Sequence, residues 1–366
     1  MGTKPTDEET EAQVLDLVCG VARERFEPEA ISAEQIAGGL GLRRFYRVQL
    51  ESKKEDIPKS VIARVEAAED PKGRPAGVPP EPPLEPLLDF FSANKLPVPL
   101  GYGGDASQGI LFLEDLGLLS MEKAAAGKLQ GQRLNLYREA LGILPKLQAL
   151  APPTTGDPLP CFSRRLDEAL FSYKANLFSE HALPVALGRT PKASETQVVQ
   201  EAFGYIAKRS SEAPQRLAHR DFQSANLYLR NDTLPADIQM IDFQGAFMAP
   251  PEYDLVCLLR DSYVELSEAE RSTLLSEIRP QLPDPPDEID FLERFALLTL
   301  SRKGKDLARF YYAINERGDL RFQAYIPATV RYLKQAALHT AGMAPSLASL
   351  MELIHTLPEE EASCAP

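Results

Sequence analysis

Apolar residues recur along the first third of the chain with two different periods. Over residues 12–26, Val14, Leu17, Val18, Val21 and Phe26 follow a helical spacing, which predicts a helix. Residues 45–50 and Ser60–Val65 are short apolar runs bounded by turn residues, which predicts two strands with a charged turn between them. Residues 71–86 hold seven prolines, and a stretch with so few backbone donors reads as an extended loop. A short helix (87–94) and an apolar strand (109–113) follow, the strand running into Glu114-Asp115-Leu116-Gly117.

Beyond Gly117 the helical period takes over. Residues 131–150, 162–181 and 192–209 each carry apolar positions three and four apart. Two short strands, Leu227–Leu229 and 238–241, interrupt them around a turn at Asn231-Asp232, and helices resume from about Asp254. The expected class is α+β: a small β-rich N-terminal lobe over residues 1–117 and a larger, mostly helical C-terminal lobe over 118–366. A length of 366 residues suits two such units.

Composition narrows the partners. With 44% hydrophobic and 25% charged residues the chain is expected to fold around a sizeable core. Its 40 Lys+Arg against 53 Asp+Glu, a formal charge of −13, argue against nucleic acid and against an anionic membrane surface. No apolar run approaches a membrane span, the polar N-terminus is expected to carry no signal peptide, and the four cysteines lack metal or redox spacing. A reduced, cytoplasmic setting is expected.

Candidate chemistry concentrates in His219-Arg220-Asp221-Phe222-Gln223-Ser224-Ala225-Asn226, followed sixteen residues later by Ile241-Asp242-Phe243-Gln244. An Asp in a short loop can orient a hydroxyl and take its proton. An Asn five residues on, with a second Asp at a strand end, supplies oxygen ligands suited to Mg²⁺ on ATP phosphates. The competing reading is a polar loop whose Asn and Asp cap turns. His219 reads as a residue that orients this loop.

These strings resemble the phosphotransferase family of aminoglycoside and choline kinases, relatives of the protein kinases. The resemblance implies a bilobal protein-kinase-like fold with ATP held between the lobes. It implies Asp221 as the catalytic Asp, Asn226 and Asp242 as Mg²⁺ ligands, and Gln244 in the third place of the DFG motif. Asp254 resembles the buried Asp that holds the catalytic loop by its backbone N–H groups; an ordinary helix cap explains it as well. Leu42-Arg43-Arg44-Phe45-Tyr46-Arg47-Val48, Leu111-Phe112-Leu113-Glu114-Asp115-Leu116-Gly117, the run from Tyr253 to Tyr263 and the late Arg331-Tyr332-Leu333 further resemble one branch, the anomeric kinases of N-acetylmuramate and N-acetylglucosamine.

For the nucleotide, Gly39 and Gly41 of Gly38-Gly39-Leu40-Gly41 would let backbone N–H groups approach phosphates, or simply make a turn. Residues 34–54 form a locally basic strip, from which Arg43 or Arg44 would meet a phosphate. Arg64 stands where the V-A-I-K strand of the family carries its Lys, with Glu85 the nearest helix partner, and Glu114 to Leu116 would form the hinge that pairs with adenine. Candidates for the acceptor are Glu252, Arg260, Asp261 and Arg302, with Lys305; ordinary ion pairs explain each of them too. With no Trp in the chain, Tyr173, Phe178 or Tyr263 would supply any sugar platform. The sequence thus reads as an ATP- and Mg²⁺-dependent kinase acting on a small-molecule hydroxyl, foremost the anomeric hydroxyl of an N-acetylated amino sugar. Another acceptor (an aminoglycoside, a choline-like amino alcohol, a thioribose) and a nucleotide-binding scaffold without transfer are the alternatives.

Overall fold

Val18, Val21, Ala22 and Phe26 put one face of helix α1 (Asp7–Phe26) against a sheet. The computed structural model describes residues 7–36, 43–66 and 82–359, with side chains from residue 11 onward. The described residues within Met1–Arg74 and Leu88–Gly117 form one compact unit, and those within Pro75–Leu87 and Leu118–Pro366 form another.

The first unit holds an antiparallel sheet ordered β1-β2-β3-β5-β4, from β1 (Ala30–Ile36), β2 (Arg44–Glu51), β3 (Ser60–Val65), β4 (Gly101–Asp105) and β5 (Ile110–Glu114). Helix α2 (Glu85–Ala93) precedes β4. Alternation sorts the side chains by face. Tyr46 and Val48 of β2, Val61 and Ala63 of β3 and Phe112 of β5 are fully buried against α1. Phe45, Arg47, Ile62 and Arg64 occupy the other face, with Phe45 paired across from Arg64. The edge strands β1 and β4 are absent from the sequence reading. β1 is largely exposed and lacks a buried stripe, while β4 is the glycine-rich Gly101-Tyr102-Gly103-Gly104-Asp105. Gly104 is required there: a Cβ would lie 2.1 Å from the Ile110 carbonyl oxygen.

The second unit is helical. α3 (Met121–Ala126), α4 (Gln130–Leu141) and α5 (Leu144–Gln148) come first, so the helix expected over 131–150 is broken at Gly142-Ile143. α6 (Glu168–Leu177), N-capped by the Asp167 carboxylate, passes through a π-helical turn at Phe178–Ala182 into α7 (Leu183–Leu187). α8 (Ala193–Ser211) leads to two small antiparallel pairs: β6 (Arg216–Ala218) with β9 (Phe247–Ala249), and between them β7 (Leu227–Leu229) with β8 (Ile238–Met240). Then follow α9 (Tyr253–Leu259), α10 (Glu268–Ile278), α11 (Glu288–Arg317), α12 (Ile326–Thr340) and α13 (Pro345–His355). α11 runs through the middle of this unit, packed on α6, α8, α9 and α12. Its Gly304 admits the Phe178 and Phe203 rings, which a Cβ would meet at 3.3 and 3.4 Å. Among the described residues no helix is long and apolar enough to cross a membrane.

Candidate active site

The two strand pairs build the loop. β6 delivers the chain into His219-Arg220-Asp221, a single 3₁₀ turn (Ser224–Asn226) ends at Asn226, and β7 follows directly. Because Leu227 pairs with Met240, the next N–H along β8, that of Ile241, donates to the Asn226 carbonyl at 3.0 Å. Asp242 follows at once with φ +63°, a left-handed conformation Asp tolerates better than most residues. The Asn226 amide Nδ2 donates to the Asp221 carbonyl at 2.9 Å, and the Gln244 amide donates to Asp242 Oδ1 at 2.7 Å. The structure therefore brings Asp221, Asn226 and Asp242 together at one end of the β7–β8 pair.

Those bonds bear on whether a divalent cation suits the site. Once Nδ2 is committed to Asp221, the Asn226 side chain has its carbonyl oxygen left as an acceptor. An amide oxygen plus an Asp carboxylate is the hard, oxygen-only set that Mg²⁺ takes, usually with few protein ligands and the remainder from water and phosphate. Among the described residues no group of three or more His, Cys, Asp or Glu is placed to hold a metal ion.

Two carboxylates from the α9 region brace the loop. Asp254 is buried and accepts the backbone N–H groups of His219 at 2.7 Å and of Arg220 at 3.1 Å. Burial pushes its pKa up to about 7 against those two donors. Of its two readings in the sequence, loop holder and helix cap, this geometry is the first. Asp261, seven residues on, accepts the Ser224 N–H at 2.8 Å, the Ser224 hydroxyl at 2.5 Å and the Tyr263 N–H at 3.1 Å. His219 is fully buried: Nδ1 accepts the Asp221 N–H at 3.3 Å, Nε2 faces the Ile241 carbonyl at 3.0 Å, and Phe222 and Phe243 meet its ring edge-on. Burial lowers its pKa to about 4, so the imidazole is neutral with its proton on Nε2.

Arg302 of α11 reaches this loop from eighty-one residues away. Its Nη1 donates to Asp221 Oδ1 at 2.6 Å and to the Arg220 carbonyl at 3.1 Å, its Nη2 to Gln223 Oε1 at 3.1 Å, and its Nε to Asp306 Oδ2 at 3.2 Å. Lys305 Nζ lies 3.9 Å from Asp221 Oδ1 and 3.4 Å from Asp306 Oδ1, and Arg220 Nε stands 3.7 Å from Asp221 Oδ2. Burial alone would raise the Asp221 pKa; the charges of Arg302, Lys305 and Arg220 outweigh it and hold the carboxyl well below its ordinary range. Burial, then Arg302, brings Lys305 down to about 8.

Two further acceptor candidates, Glu252 and Arg260, are bound to other partners. Glu252 is fully buried, taking Arg294 Nη2 at 2.9 Å and Nε at 3.1 Å on a single oxygen. Arg260 is buried too; Nη1 donates to Gln335 Oε1 at 2.6 Å, and the guanidinium lies 4.9 Å from the Tyr332 ring centroid. Arg220 and Gln223, which the sequence reading leaves without a role, are drawn into the site as partners of Asp221 and Arg302.

In the first unit, Gly39 and Gly41 lie within 37–42, outside the described residues, as does most of the Pro-rich stretch. Arg43 Nε meets Glu66 Oε2 at 3.1 Å, and the buried Arg64 also meets Glu66, the residue just past the end of β3. Arg44 opens β2, and Arg47 holds Asp115 through two hydrogen bonds of 2.7 and 3.1 Å and the Gly117 carbonyl at 3.2 Å. Glu114 ends β5 with Oε2 accepting the Leu100 N–H at 3.0 Å, and Leu116 is half-buried just beyond.

A kinase-like strand–helix chain with an Asp, Asn and Asp assembled at one hairpin defines a class, and the comparisons agree. The profile of the Phosphotransferase enzyme family matches residues 33–289, and the chain belongs to that family. It is 30% identical over 267 residues to the N-acetylmuramate/N-acetylglucosamine kinase of Neisseria meningitidis serogroup B, covering 70% of this chain and 75% of the relative. The enzyme of the same name from Pseudomonas aeruginosa is 27% identical over 267 residues, covering 72% and 74%. Among solved structures, the choline kinase LicA of Streptococcus pneumoniae superposes with a TM-score of 0.56 at 16% identity, covering 93% of this chain and 99% of that one. An ethanolamine kinase of Plasmodium vivax gives 0.57 at 12% identity, covering 95% and 92%. At such identities these two speak to the fold alone.

Proposed function

We propose that this protein transfers the γ-phosphoryl group of ATP, with Mg²⁺, to the anomeric hydroxyl of N-acetylmuramate or N-acetylglucosamine. The observation that carries the transfer chemistry is the assembly of Asp221, Asn226 and Asp242 at one end of the β7–β8 pair. The acceptor rests on the shared name of the curated relatives, each matched over about three quarters of its length.

Asp221 orients the sugar hydroxyl and receives its proton as the hydroxyl oxygen bonds to the γ-phosphorus and the bond to the β–γ bridging oxygen breaks, releasing ADP. Asn226 and Asp242 would hold Mg²⁺, which when bound neutralises charge on the phosphate oxygens. Phosphoryl transfer asks for positioning and charge neutralisation more than covalent chemistry. His219 stays neutral and holds the loop through its ring nitrogens, with Asp254 and Asp261 bracing the backbone behind it. Gly39, Gly41, Arg43, Arg44, Arg64, Glu114 and Leu116 remain the proposed nucleotide contacts.

The test is transfer of labelled γ-phosphate from ATP to N-acetylmuramate, N-acetylglucosamine, choline, ethanolamine, kanamycin and methylthioribose. The expected product is a sugar phosphate that loses its label in mild acid, as a glycosyl phosphate does and a 6-phosphate does not. Transfer to an amine alcohol or aminoglycoside instead of either sugar would replace the acceptor. Bound ATP with no transfer to any of them would make the protein a nucleotide-binding scaffold.

A further inference from the structure

The cations around Asp221 ask for an explanation that ordinary packing does not give. Arg302 is 2% exposed, and charged residues are rarely buried unless their partners define their place. Its partners are a carbonyl, a carboxylate and a side-chain amide from three residues of the loop, Arg220, Asp221 and Gln223. The fourth, Asp306, grips the guanidinium from its own helix one turn on and is itself held by Lys303 at 2.8 Å. The plane of the guanidinium is thus set from behind, before it meets the loop.

We propose that Arg302 is a positioning residue for the transfer reaction: it fixes Asp221 Oδ1 and so assigns Oδ2 to the acceptor hydroxyl. This rests on the reading of Asp221 given above. A carboxylate free to rotate presents either oxygen. A 2.6 Å charge-assisted bond to Oδ1 removes that equivalence and leaves Oδ2, with Arg220 Nε at 3.7 Å beside it, as the oxygen turned to the acceptor. The same nitrogen holds the carbonyl of Arg220, which stands at φ +83°. Asp254 holds the N–H of that residue, so the left-handed turn leading into Asp221 is clamped at both of its peptides. Gln223, two residues past Asp221, takes the remaining arm. Only a planar fork with several donors reaches all three positions at once; an ammonium does not.

Arg302→Lys, Arg302→Gln and Arg302→Ala, measured in the full chain, separate placement from charge and from folding. The expected result for Arg302→Gln is a fall in kcat on the order of 10²-fold, the usual cost of a small misplacement, with KM for ATP and acceptor close to wild type. Arg302→Lys restores only a minor part of it, and added methylguanidinium raises the rate of Arg302→Ala where tetramethylammonium does not. Wild-type kcat in a folded Arg302→Gln, or full recovery in Arg302→Lys, overturns the proposal. Should the Arg302 variants not fold, Gln223→Met loosens one arm from the loop side. It is expected to lower kcat several-fold with nucleotide binding intact, and an unchanged kcat overturns the proposal just the same. Every ratio is taken on whichever acceptor the wild type uses, water included. A wild type inert towards amino sugars therefore counts against the proposed acceptor, not against Arg302.

Discussion

Asp254 Oδ1 accepts the backbone N–H of Arg220 at 3.1 Å, and Arg220 stands at φ +83°. For a long side chain that conformation costs about 1–3 kcal/mol and persists only where its surroundings insist on it. Asp254→Asn keeps the shape but offers one oxygen where two N–H groups wait. A buried donor left unmatched costs about 1–3 kcal/mol, so urea unfolding should show a loss of that size. The kcat should fall with it because the turn into Asp221 relaxes. A variant that unfolds at the wild-type midpoint would mean that the turn holds itself.

Glu252 and Arg294 form a buried pair in which both guanidinium contacts land on one carboxylate oxygen. Breaking a buried pair by removing one partner strands the other charge, at a cost of about 3–5 kcal/mol. Glu252→Ala should therefore lower the melting temperature by on the order of 10 °C, taking about 2–4 °C per kcal/mol for a unit of this size. If the folded remainder showed an acceptor KM raised many-fold at unchanged stability, Glu252 would be a substrate ligand after all.

What the sequence discloses about this site follows from how local each contact is. Asp221, Asn226 and Asp242 lie within twenty-two positions, on a loop and two short strands whose lengths fix their spacing, so their grouping is legible from the string alone. Arg302 is legible as a cation on a helix but not as the partner of Asp221. Nothing in a helical period says which distant loop its guanidinium meets. Glu252 and Asp261 look like pocket carboxylates by their nearness to the motif, yet both are buried and bound to Arg294 and Ser224, partners remote in sequence. In the first unit, β2, β3 and β5 carry the short apolar runs of strands that share a core with α1. The edge strands β1 and β4 bury too little to imprint one, and Gly103 and Gly104 leave β4 with almost no side chains to read.

His219 should make the protein sensitive to mild acid. Its pKa is lowered to about 4 in the fold, whereas an unfolded His titrates near 6.5, so between those values the unfolded chain binds the extra proton. Stability is then complete above about pH 6.5 and is lost as pH falls towards 4, by about 3 kcal/mol over the window. The structural cause is definite: a proton on Nδ1 would abolish the acceptor that meets the Asp221 N–H. His219→Gln can still donate towards the Ile241 carbonyl but does not titrate. Urea midpoints between pH 7.5 and 4.5 should fall less steeply for this variant than for wild type. Parallel curves would assign the acid sensitivity to other groups.

Asp242 permits the cleanest separation of charge from shape. Its φ of +63° is one that Asn also adopts readily, so Asp242→Asn keeps the backbone at the end of β8 and the reach of Gln244 while removing the negative charge. Val at the same position would add steric strain on top of the lost ligand. If Asp242 and Asn226 hold Mg²⁺, Asp242→Asn should melt within a few degrees of wild type yet need far more Mg²⁺ for half-maximal rate. Disturbed metal sites commonly lose about 10–100-fold in affinity. Asn226→Leu should show the same Mg²⁺ dependence with an added loss of kcat, because the Nδ2 bond to the Asp221 carbonyl goes as well. Titrating Mg²⁺ against both the transfer rate and the binding of a fluorescent ATP analogue reads the two effects apart. An Asp242→Asn protein that turns over normally at wild-type Mg²⁺ would remove Asp242 from the metal site and leave Asn226 without its partner.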